Sequence, residues 1–359
     1  MNISAQNRYA RDDLKALALA LLGRGGMAAD KAAVVAELLV QTDEIGVTTH
    51  GMSMIPYYLP DLQSGRMRTE GTETVLRDNR VTLLWDGNYL PGHWLMARAL
   101  DTCMERAAEY GMAALAMRRS HHIGCLSTLT RIAAERGLVC YIATSDPSGR
   151  WVAPFGGTEP TLTPNPWAVG YPGGDHPVLI DTCASITTVS KVREHINNGT
   201  QFAHPWMLDG QGRATTDPTV VNADPKGTIL PVGGVDHGHK GYGMALMVEM
   251  LTMALAGHGR ADEPTQWGAN VFVQVIDPGA FGGIAAFVHE VDWLNTRCRD
   301  NRPAAGVDRV RVPGDRAADI AARSRSAGIA LPAGVWTRVA ASADALGVAL
   351  PAPMAVSRP

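Results

Sequence analysis

One stretch decides the class of fold: residues 113–144, AALAMRRSHHIGCLSTLTRIAAERGLVCYIAT. Two apolar runs within it, 113–117 and 138–144, each predict a buried β-strand. Between them a polar loop, 120–124, leads into a helix that ends near Gly137. Strand, loop, helix and strand in succession are typical of a protein in which helices pack on a sheet.

Outward from this stretch, helical patterns dominate both chain ends and strand patterns dominate the middle. We predict helices near 14–22, 30–39, 54–64, 94–110, 241–256, 291–299, 315–327 and 336–346, and further strands at 74–76, 81–85, 178–180 and 271–276. Segment 145–177 is rich in Gly, Pro, Thr and Asn and is expected to line a site, and 198–238 is a further polar segment rich in Gly and Pro. We therefore expect residues 1–72 and 290–359 to form one helical domain and residues 73–289 to form a cofactor-binding domain with a mixed sheet.

The composition excludes several classes of protein. Hydrophobic residues make up 46% of the 359 residues and charged residues 19%, which is enough to bury a core and excludes a mainly disordered chain. The formal net charge of −3 gives no basic field, so no nucleic-acid partner is expected. No apolar run approaches the ~18 residues of a membrane span, so no membrane partner is expected. Five scattered cysteines and a polar N-terminus without a signal core predict reduced thiols in the cytoplasm.

A glycine pattern near the N-terminus imitates a dinucleotide-binding fingerprint. Residues 23–28, GRGGMA, match the GxGxxA spacing, and Asp43 lies near the position of a ribose-binding acid. The fingerprint requires a preceding β-strand, whereas residues 14–22 contain no β-branched residue and are rich in the helix formers Ala and Leu. We therefore interpret this pattern as the end of a helix.

Two loops carry histidines in settings that suit proton transfer near neutral pH. His50 lies in 46–51, GVTTHG, where the neighbouring Thr49 hydroxyl can hold its ring. His122 follows His121 in 120–124, SHHIG, and adjacent side chains diverge, so at most one of the pair is expected to act in a site. An ordinary structural histidine is the alternative for each. No metal is expected, because Cys125 and these histidines lack further ligands at a suitable spacing.

Three further segments have the character of ligand-binding loops. Residues 154–157, PFGG, and 163–166, TPNP, form a rigid pair, for which a plain structural loop is the alternative. Asp181–Ser185 ends a strand and opens a helix, which favours an anion; Asp181 as a simple helix cap is the alternative. Lys240 lies among glycines in 236–243, DHGHKGYG, near a helix start, where a cation indicates a nearby phosphate unless the lysine is merely solvated.

In order and spacing, these segments resemble the malate/L-lactate/ureidoglycolate dehydrogenase family, the nicotinamide-dependent 2-hydroxy-acid dehydrogenases and imine reductases that lack a Rossmann fold. The matching blocks, which span roughly residues 5–330, are 43–51 (DEIGVTTHG) with Pro56 and Tyr58, Ser120-x-His122-x-Gly124, Ser145-Asp-Pro147, Pro154-x-Gly156-Gly157, Asn165-Pro166, Asp181 with Lys191, 215–218 (TTDP), 240–243 (KGYG), Asp277-Pro278 with Phe281, and 312–315 (VPGD).

The resemblance implies an α/β subunit (α+β mixed) with a non-Rossmann NAD(P)-binding domain, a largely antiparallel sheet, and assembly as a homodimer. It implies that NAD or NADP is contacted by His122, Gly124, Ser145, Asp181, Thr182, Cys183, Lys240, Pro313, Gly314 and Asp315. In some members the residue at His50 transfers the proton, assisted by Thr49 and Asp181, and in others the residue at His122 does so. Both histidines are present here, so both remain candidates.

The implied reaction moves a hydride between the nicotinamide and the alpha carbon of a small 2-hydroxy or 2-oxo acid, while a histidinium, His50 as first choice, supplies the proton. A reductase of a cyclic 2-imino acid is the alternative, because it uses the same geometry. An inactive ligand-binding homologue is the second alternative.

The predicted substrate pocket departs from the family pattern. Met54 stands where members usually carry an arginine for the substrate carboxylate, and a thioether cannot form two charge-assisted hydrogen bonds. Arg119 and Arg150 are the candidate replacements, Arg150 being favoured, and Tyr58 is expected to line the same pocket. For NADP, Arg309 or Arg311 are candidates to receive the 2′-phosphate.

Overall fold

The computed structural model describes residues 7–354, so the expected domain ends at 1–6 and 355–359 lie outside the described residues. The helices are α1 (Arg11–Arg24), α2 (Ala29–Glu44), α3 (Ile55–Gln63), α4 (Gly92–Tyr110), α5 (Leu126–Ala134), α6 (Val189–Asn198), α7 (Gly234–Glu249), α8 (Ile284–Arg299), α9 (Asp315–Ala327) and α10 (Ala333–Ala345). The strands are β1 (Arg8–Tyr9), β2 (Thr74–Asp78), β3 (Thr82–Asp86), β4 (Met112–Ser120), β5 (Val139–Ser145), β6 (Pro166–Tyr171), β7 (Val178–Cys183), β8 (Met207–Leu208), β9 (Ala214–Thr215), β10 (Thr228–Ile229), β11 (Ala269–Ile276) and β12 (Ile329–Ala330).

A seven-stranded sheet, in the order β2-β3-β4-β11-β5-β6-β7, forms the centre of the molecule. β3 and β4 run parallel, and every other neighbouring pair in this sheet is antiparallel. This is not the doubly wound parallel sheet of a Rossmann domain. The expected mixed α/β fold with a largely antiparallel sheet is therefore confirmed.

β11 lies at the middle of the sheet because its β-branched residues alternate toward one covered face. Val271, Val273 and Val275 are fully buried, and Val273 lies opposite Leu115 of β4 and Ile142 of β5. Apolar side chains spaced three or four apart on α4 and α5 cover this face and complete the core.

A second core joins the two ends of the chain. Leu14, Leu21 and Leu39 from α1 and α2 pack in one cluster with Val339 of α10. β1 pairs antiparallel with β12, and the Tyr9 and Trp336 rings stack with centroids 4.0 Å apart. The expectation that the helical ends fold together agrees with this packing. α8 runs continuously across residue 290, and the division into two domains stays a prediction.

The glycine pattern at 23–28 is confirmed as a helix end. α1 extends to Arg24, and Gly25 and Gly26 form the turn that leads into α2. Asp43, the residue at the spacing of a ribose-binding acid, is 2% exposed at the end of α2 and therefore does not face a ligand there.

Both segments rich in Gly and Pro contain short strands that the sequence pattern does not predict. β6 lies inside 145–177, where the flanking Gly and Pro obscured the short apolar alternation of residues 166–171. The segment 198–238 contains β8, β9 and β10, which form a small separate sheet. α7 starts at Gly234 and has non-helical backbone at His237, so Lys240 lies inside the helix and not at its first residue.

Gly92 sets the approach of α4 to the loop between β4 and α5. A β-carbon at this position would overlap the backbone carbonyl oxygens of both His121 and His122. The absence of a side chain therefore lets the helix start support the loop that carries the two histidines.

We expect Gly92→Ala to lower the free energy of unfolding by about 1–3 kcal/mol, because backbone atoms must move apart to admit the methyl group. Denaturant unfolding measures the change. Gly23→Ala is the matched control, because a β-carbon there meets no atom within 4 Å, and it should stabilise α1 by about 0.5–1 kcal/mol. Equal stability of the two variants would contradict the proposed close approach.

Candidate active site

The two predicted histidines converge, although they are far apart in the sequence. The imidazole rings of His50 and His122 stack with centroids 5.8 Å apart and an interplanar angle of 21°. Both rings are partly exposed. Neither Nε2 atom has a hydrogen-bond partner among residues 7–354, whereas each Nδ1 is bonded to a hydroxyl. The arrangement presents two imidazole nitrogens to one recess.

His50 lies in the turn between α2 and α3. Its Nδ1 is 2.9 Å from the Thr49 hydroxyl, which fixes the ring orientation. Burial lowers the pKa of His50, and the negative charge of Asp181 acts in the opposite direction and raises it. The net shift of the His50 pKa is downward, and the Asp181 carboxylate partly offsets it by favouring the charged form of the ring.

Asp181 lies near the end of β7, where its carboxylate contacts the first turn of α5. Its Oδ2 accepts a hydrogen bond of 2.8 Å from the Ser127 amide and lies 3.8 Å from the Cys125 sulfur. Although its surface is accessible in the single chain, desolvation in this recess raises the pKa of Asp181, and the Ser127 amide lowers it. Asp181 therefore does not cap the helix that follows it in the sequence; it accepts a hydrogen bond at the start of α5, and its charge also acts on His50.

His122 is held by an aromatic setting. The Tyr58 hydroxyl lies 2.7 Å from its Nδ1, and the Trp267 ring lies at a centroid distance of 5.2 Å. Desolvation lowers the pKa of His122 well below its ordinary value, and the nearby His50, His93 and His121 lower it further. The ring is therefore neutral near pH 7.

His121 has a structural role. It is fully buried, and its Nε2 lies 3.0 Å from Asp61 Oδ2. Asp61 also accepts a hydrogen bond from Arg66, so the histidine belongs to an ionic contact inside α3 and the following turn. The expectation that the adjacent histidines bind different partners agrees with this geometry.

His93 near the start of α4 was not identified from the sequence. It is 2% exposed, and Gly124, whose backbone is left-handed, packs against its ring. Burial lowers the pKa of His93 to about 3, so it adds no positive charge to the recess.

Asp43 supports the His50 loop from beneath. Its Oδ2 accepts a hydrogen bond of 2.7 Å from the Met52 amide, while its Oδ1 is buried without a partner among the described residues. A β-carbon at Gly51 would overlap the carboxyl group, so the loop backbone lies directly on it. Burial raises the pKa of Asp43 from 3.8 to about 8.

Three of the predicted cofactor residues lie on β7, and two further predicted segments are hydrogen-bonded to this strand or to its surroundings. Thr182 and Cys183 follow Asp181 on this edge strand, and the Leu179 amide donates to the Pro313 carbonyl at 3.1 Å. Gly241, next to Lys240, donates its amide to Val232, whose own amide is bonded to Ala184 just beyond β7. Segments 181–185, 240–241 and 313–315 are thereby brought to one edge of the sheet.

Two predicted cofactor residues are engaged within the protein. The Ser145 hydroxyl is buried, lies 2.9 Å from Glu249 Oε1 and accepts a hydrogen bond of 3.1 Å from Arg260. The Asp315 carboxylate binds Arg299 at 2.7 Å and His176 at 3.1 Å. Both side chains therefore already have protein partners, and their contact with a cofactor stays a prediction.

The three candidate substrate-binding residues other than Tyr58 lie in different environments. Met54 is 8% exposed and packs in the helical core. Arg119 is held by Asp86 through Nε at 3.0 Å, so its guanidinium already has a carboxylate. Arg150 is exposed, and within residues 7–354 its guanidinium makes a single hydrogen bond, of 3.5 Å, to the Pro147 carbonyl. Their roles toward substrate stay predictions.

The arginines suggested for a 2′-phosphate also have acidic partners. Arg309 pairs with Asp319, and Arg311 pairs with Asp308 at 2.9 Å. A phosphate at either side chain would compete with a carboxylate already in place.

Within residues 7–354, none of the helices combines the length and apolar character needed to cross a bilayer. The same residues include no group of three or more His, Cys, Asp or Glu side chains arranged to hold a metal ion.

The chain thus combines a mixed α/β fold with two imidazole rings that meet in one recess. Residues 9–340 match the family described as malate/L-lactate dehydrogenase, and the chain belongs to that family, whose members are dehydrogenases. It is 30% identical to an L-lactate dehydrogenase of Cupriavidus necator, over 93% of this chain and 97% of that protein.

Solved structures share the fold. A malate dehydrogenase of Entamoeba histolytica superposes with a TM-score of 0.90 at 23% identity, covering 97% of this chain and 100% of that one. A delta1-piperideine-2-carboxylate reductase of Pseudomonas syringae superposes with a TM-score of 0.81 at 26% identity, covering 93% and 99%.

Asp43→Asn tests the neutral buried carboxyl. Between 3.8 and about 8 the folded chain holds a proton that the unfolded chain releases, so wild-type stability falls as pH rises across this window. The amide variant lacks this ionisation, so its free energy of unfolding relative to wild type should rise by about 1.4 kcal/mol per pH unit. Denaturant unfolding at several pH values checks this. The control Asp12→Asn, at a 95% exposed side chain, should show little dependence; a flat difference for Asp43→Asn would refute the assignment.

Proposed function

We propose that the protein is a nicotinamide-dependent dehydrogenase that interconverts a small 2-hydroxy acid and the corresponding 2-oxo acid. The observation that carries the proposal is the convergence of His50 and His122 in one recess beside Asp181. Membership of the malate/L-lactate dehydrogenase family supports the reaction class.

His50, Thr49 and Asp181 have different roles in the proposed proton transfer. His50 donates a proton to the substrate oxygen during reduction and takes it back during oxidation. Thr49 holds the Nδ1 of His50, which leaves Nε2 to face the substrate. Asp181 stabilises the imidazolium by its charge, and Ser127 keeps that carboxylate in place.

The residues along β7 suit a dinucleotide in part. Three of the five lysines, Lys15, Lys31 and Lys191, form ion pairs, whereas Lys240 is exposed without a carboxylate partner among residues 7–354. A free ammonium suits a phosphate group, and the exposed Thr182 hydroxyl adds a donor. A bound nicotinamide cofactor supplies or accepts the hydride. The acidic partners of Arg309 and Arg311 favour NAD over NADP at that position.

A reductase of a cyclic 2-imino acid is the second candidate. The fold is shared with a piperideine-carboxylate reductase, and protonation of nitrogen needs the same imidazole as protonation of oxygen. An inactive ligand-binding homologue is the third candidate, to which Met54 in the core lends support. The intact setting of His50, His122 and Asp181 argues against it.

We propose a homodimer in the cytoplasm. Large apolar side chains are exposed in the single chain on α7 and α8, including Leu246 at 47% and Trp293 at 55%, and such patches mark protein interfaces. The five cysteines, all within the described residues, are free thiols, which suits a reducing compartment.

A panel of small 2-oxo acids, each assayed with NADH and with NADPH, tests the proposed function. We expect oxidation of NADH with at least one 2-oxo acid in the absence of amine. Activity that requires added methylamine would favour the imine reductase, and no turnover with any combination would favour the inactive homologue.

His50→Ala should lower kcat at least ~100-fold, the scale of lost general acid catalysis. Steady-state reduction of the best 2-oxo acid measures it. His204→Ala, at an exposed histidine away from the recess, is the matched control and should retain wild-type turnover. Near wild-type turnover of His50→Ala would remove His50 from the role.

A further inference from the structure

We propose that Tyr58 holds His122 as a neutral imidazole with its proton on Nε2, so that His122 binds an oxygen of the substrate while His50 alone transfers the proton. Tyr58 is then a positioning residue. The inference rests on the proposed function for the identity of the ligand, but the state of His122 follows from this chain alone.

The Tyr58 hydroxyl has one acceptor. It is 1% exposed on α3, and its oxygen lies 2.7 Å from His122 Nδ1, with no other partner among the described residues. A buried hydroxyl donates its proton wherever an acceptor is available. Here that acceptor is Nδ1. Since a neutral imidazole has one acceptor and one donor nitrogen, the proton of His122 lies on Nε2.

Charging His122 would disturb this contact. A proton on Nδ1 would face the phenol, which would have to turn and leave its own O–H unbonded in the protein interior. The other titratable groups around the ring are His50 in the α2–α3 turn, His93 on α4 and the adjacent His121, and none of these supplies a negative charge that would favour the imidazolium form. Trp267 covers the remaining side without a charge. Within residues 7–354, no carboxylate is among the groups that shift the pKa of His122.

His50 differs in both respects. Its Nδ1 partner is the partly exposed hydroxyl of Thr49, which can accept as well as donate a hydrogen bond. It also has Asp181, whose charge favours imidazolium. The two rings are therefore chemically distinct although they stack, and only His50 is arranged to cycle between charged and neutral forms.

The neutral donor has a further consequence for substrate binding. Met54 lies in the core and Arg119 is paired with Asp86, so neither presents a cation to the recess. The N–H at His122 Nε2 is then a donor for a carboxylate or oxo oxygen. Its hydrogen-bonding capacity does not titrate near neutral pH, in contrast to an imidazolium.

Nitrogen-15 NMR of histidine-labelled protein tests the state of His122 without any substrate. In the wild type we expect a single neutral Nε2–H form of His122 across roughly pH 5.5 to 8, the range in which an ordinary histidine titrates. The signals of His122 are assigned by their loss in His122→Gln. In Tyr58→Phe we expect a mixture of tautomers. Tyr57→Phe, at the neighbouring exposed tyrosine, is the matched control and should resemble the wild type. An Nδ1–H or a charged His122 in the wild type near pH 7 would overturn the proposal.

Kinetics test the division of work. Loss of the N–H donor in His122→Ala should raise KM for the 2-oxo acid about tenfold or more, and His122→Gln, which retains an N–H, should have the lower KM of the two. Tyr58→Phe should add a second ionisation to the pH profile of kcat/KM, whereas Tyr57→Phe should not. Equal KM values for His122→Ala and His122→Gln, or a Tyr58→Phe profile identical to wild type, would overturn it. Absence of turnover in every protein would contradict the proposed function and leave the NMR result standing.

Discussion

Two imidazole rings whose centroids lie 5.8 Å apart, each desolvated by the surrounding protein, disfavour a state in which both are positively charged. This electrostatic constraint organises the rest of the site. The site therefore needs one neutral ring and one ring whose charged form is stabilised. The Tyr58 hydroxyl keeps His122 neutral, and the Asp181 carboxylate favours the charged form of His50. The neighbouring His93 is kept neutral by burial alone.

The fold meets this constraint by bringing two parts of the chain together. The N-terminal helices supply His50 and Tyr58, while the loop after β4 supplies His122 and the edge strand β7 supplies Asp181. Pairing of β1 with β12 and a shared apolar cluster fix the helical ends to each other. A partly buried ion pair between Glu249 and Arg260 contacts the Ser145 hydroxyl at the end of β5. The geometry of the recess therefore depends on contacts distant from it.

Much of this could be predicted from the sequence, and the remainder depended on tertiary contacts. The apolar runs of β4 and β5 and the leucine spacing of α1 are local patterns, so they were identified correctly. The strand at 166–171 was missed because Gly and Pro on either side resemble a loop. The roles of Asp61 and Trp267 carry no local signal, since each is defined by a partner distant in the sequence. Ser145 matched the family pattern, yet its hydroxyl turns inward because Glu249 and Arg260 approach it.

We infer that His50 and His122 both form hydrogen bonds to oxygen atoms of the bound substrate. A crystal structure of the protein with reduced cofactor and an unreactive 2-oxo acid isostere tests it most directly. We expect the Nε2 atoms of His50 and His122 to lie within hydrogen-bond distance of the isostere oxygens, at about 2.6–3.2 Å. An isostere bound elsewhere, or oriented with its oxygens away from both rings, would contradict it.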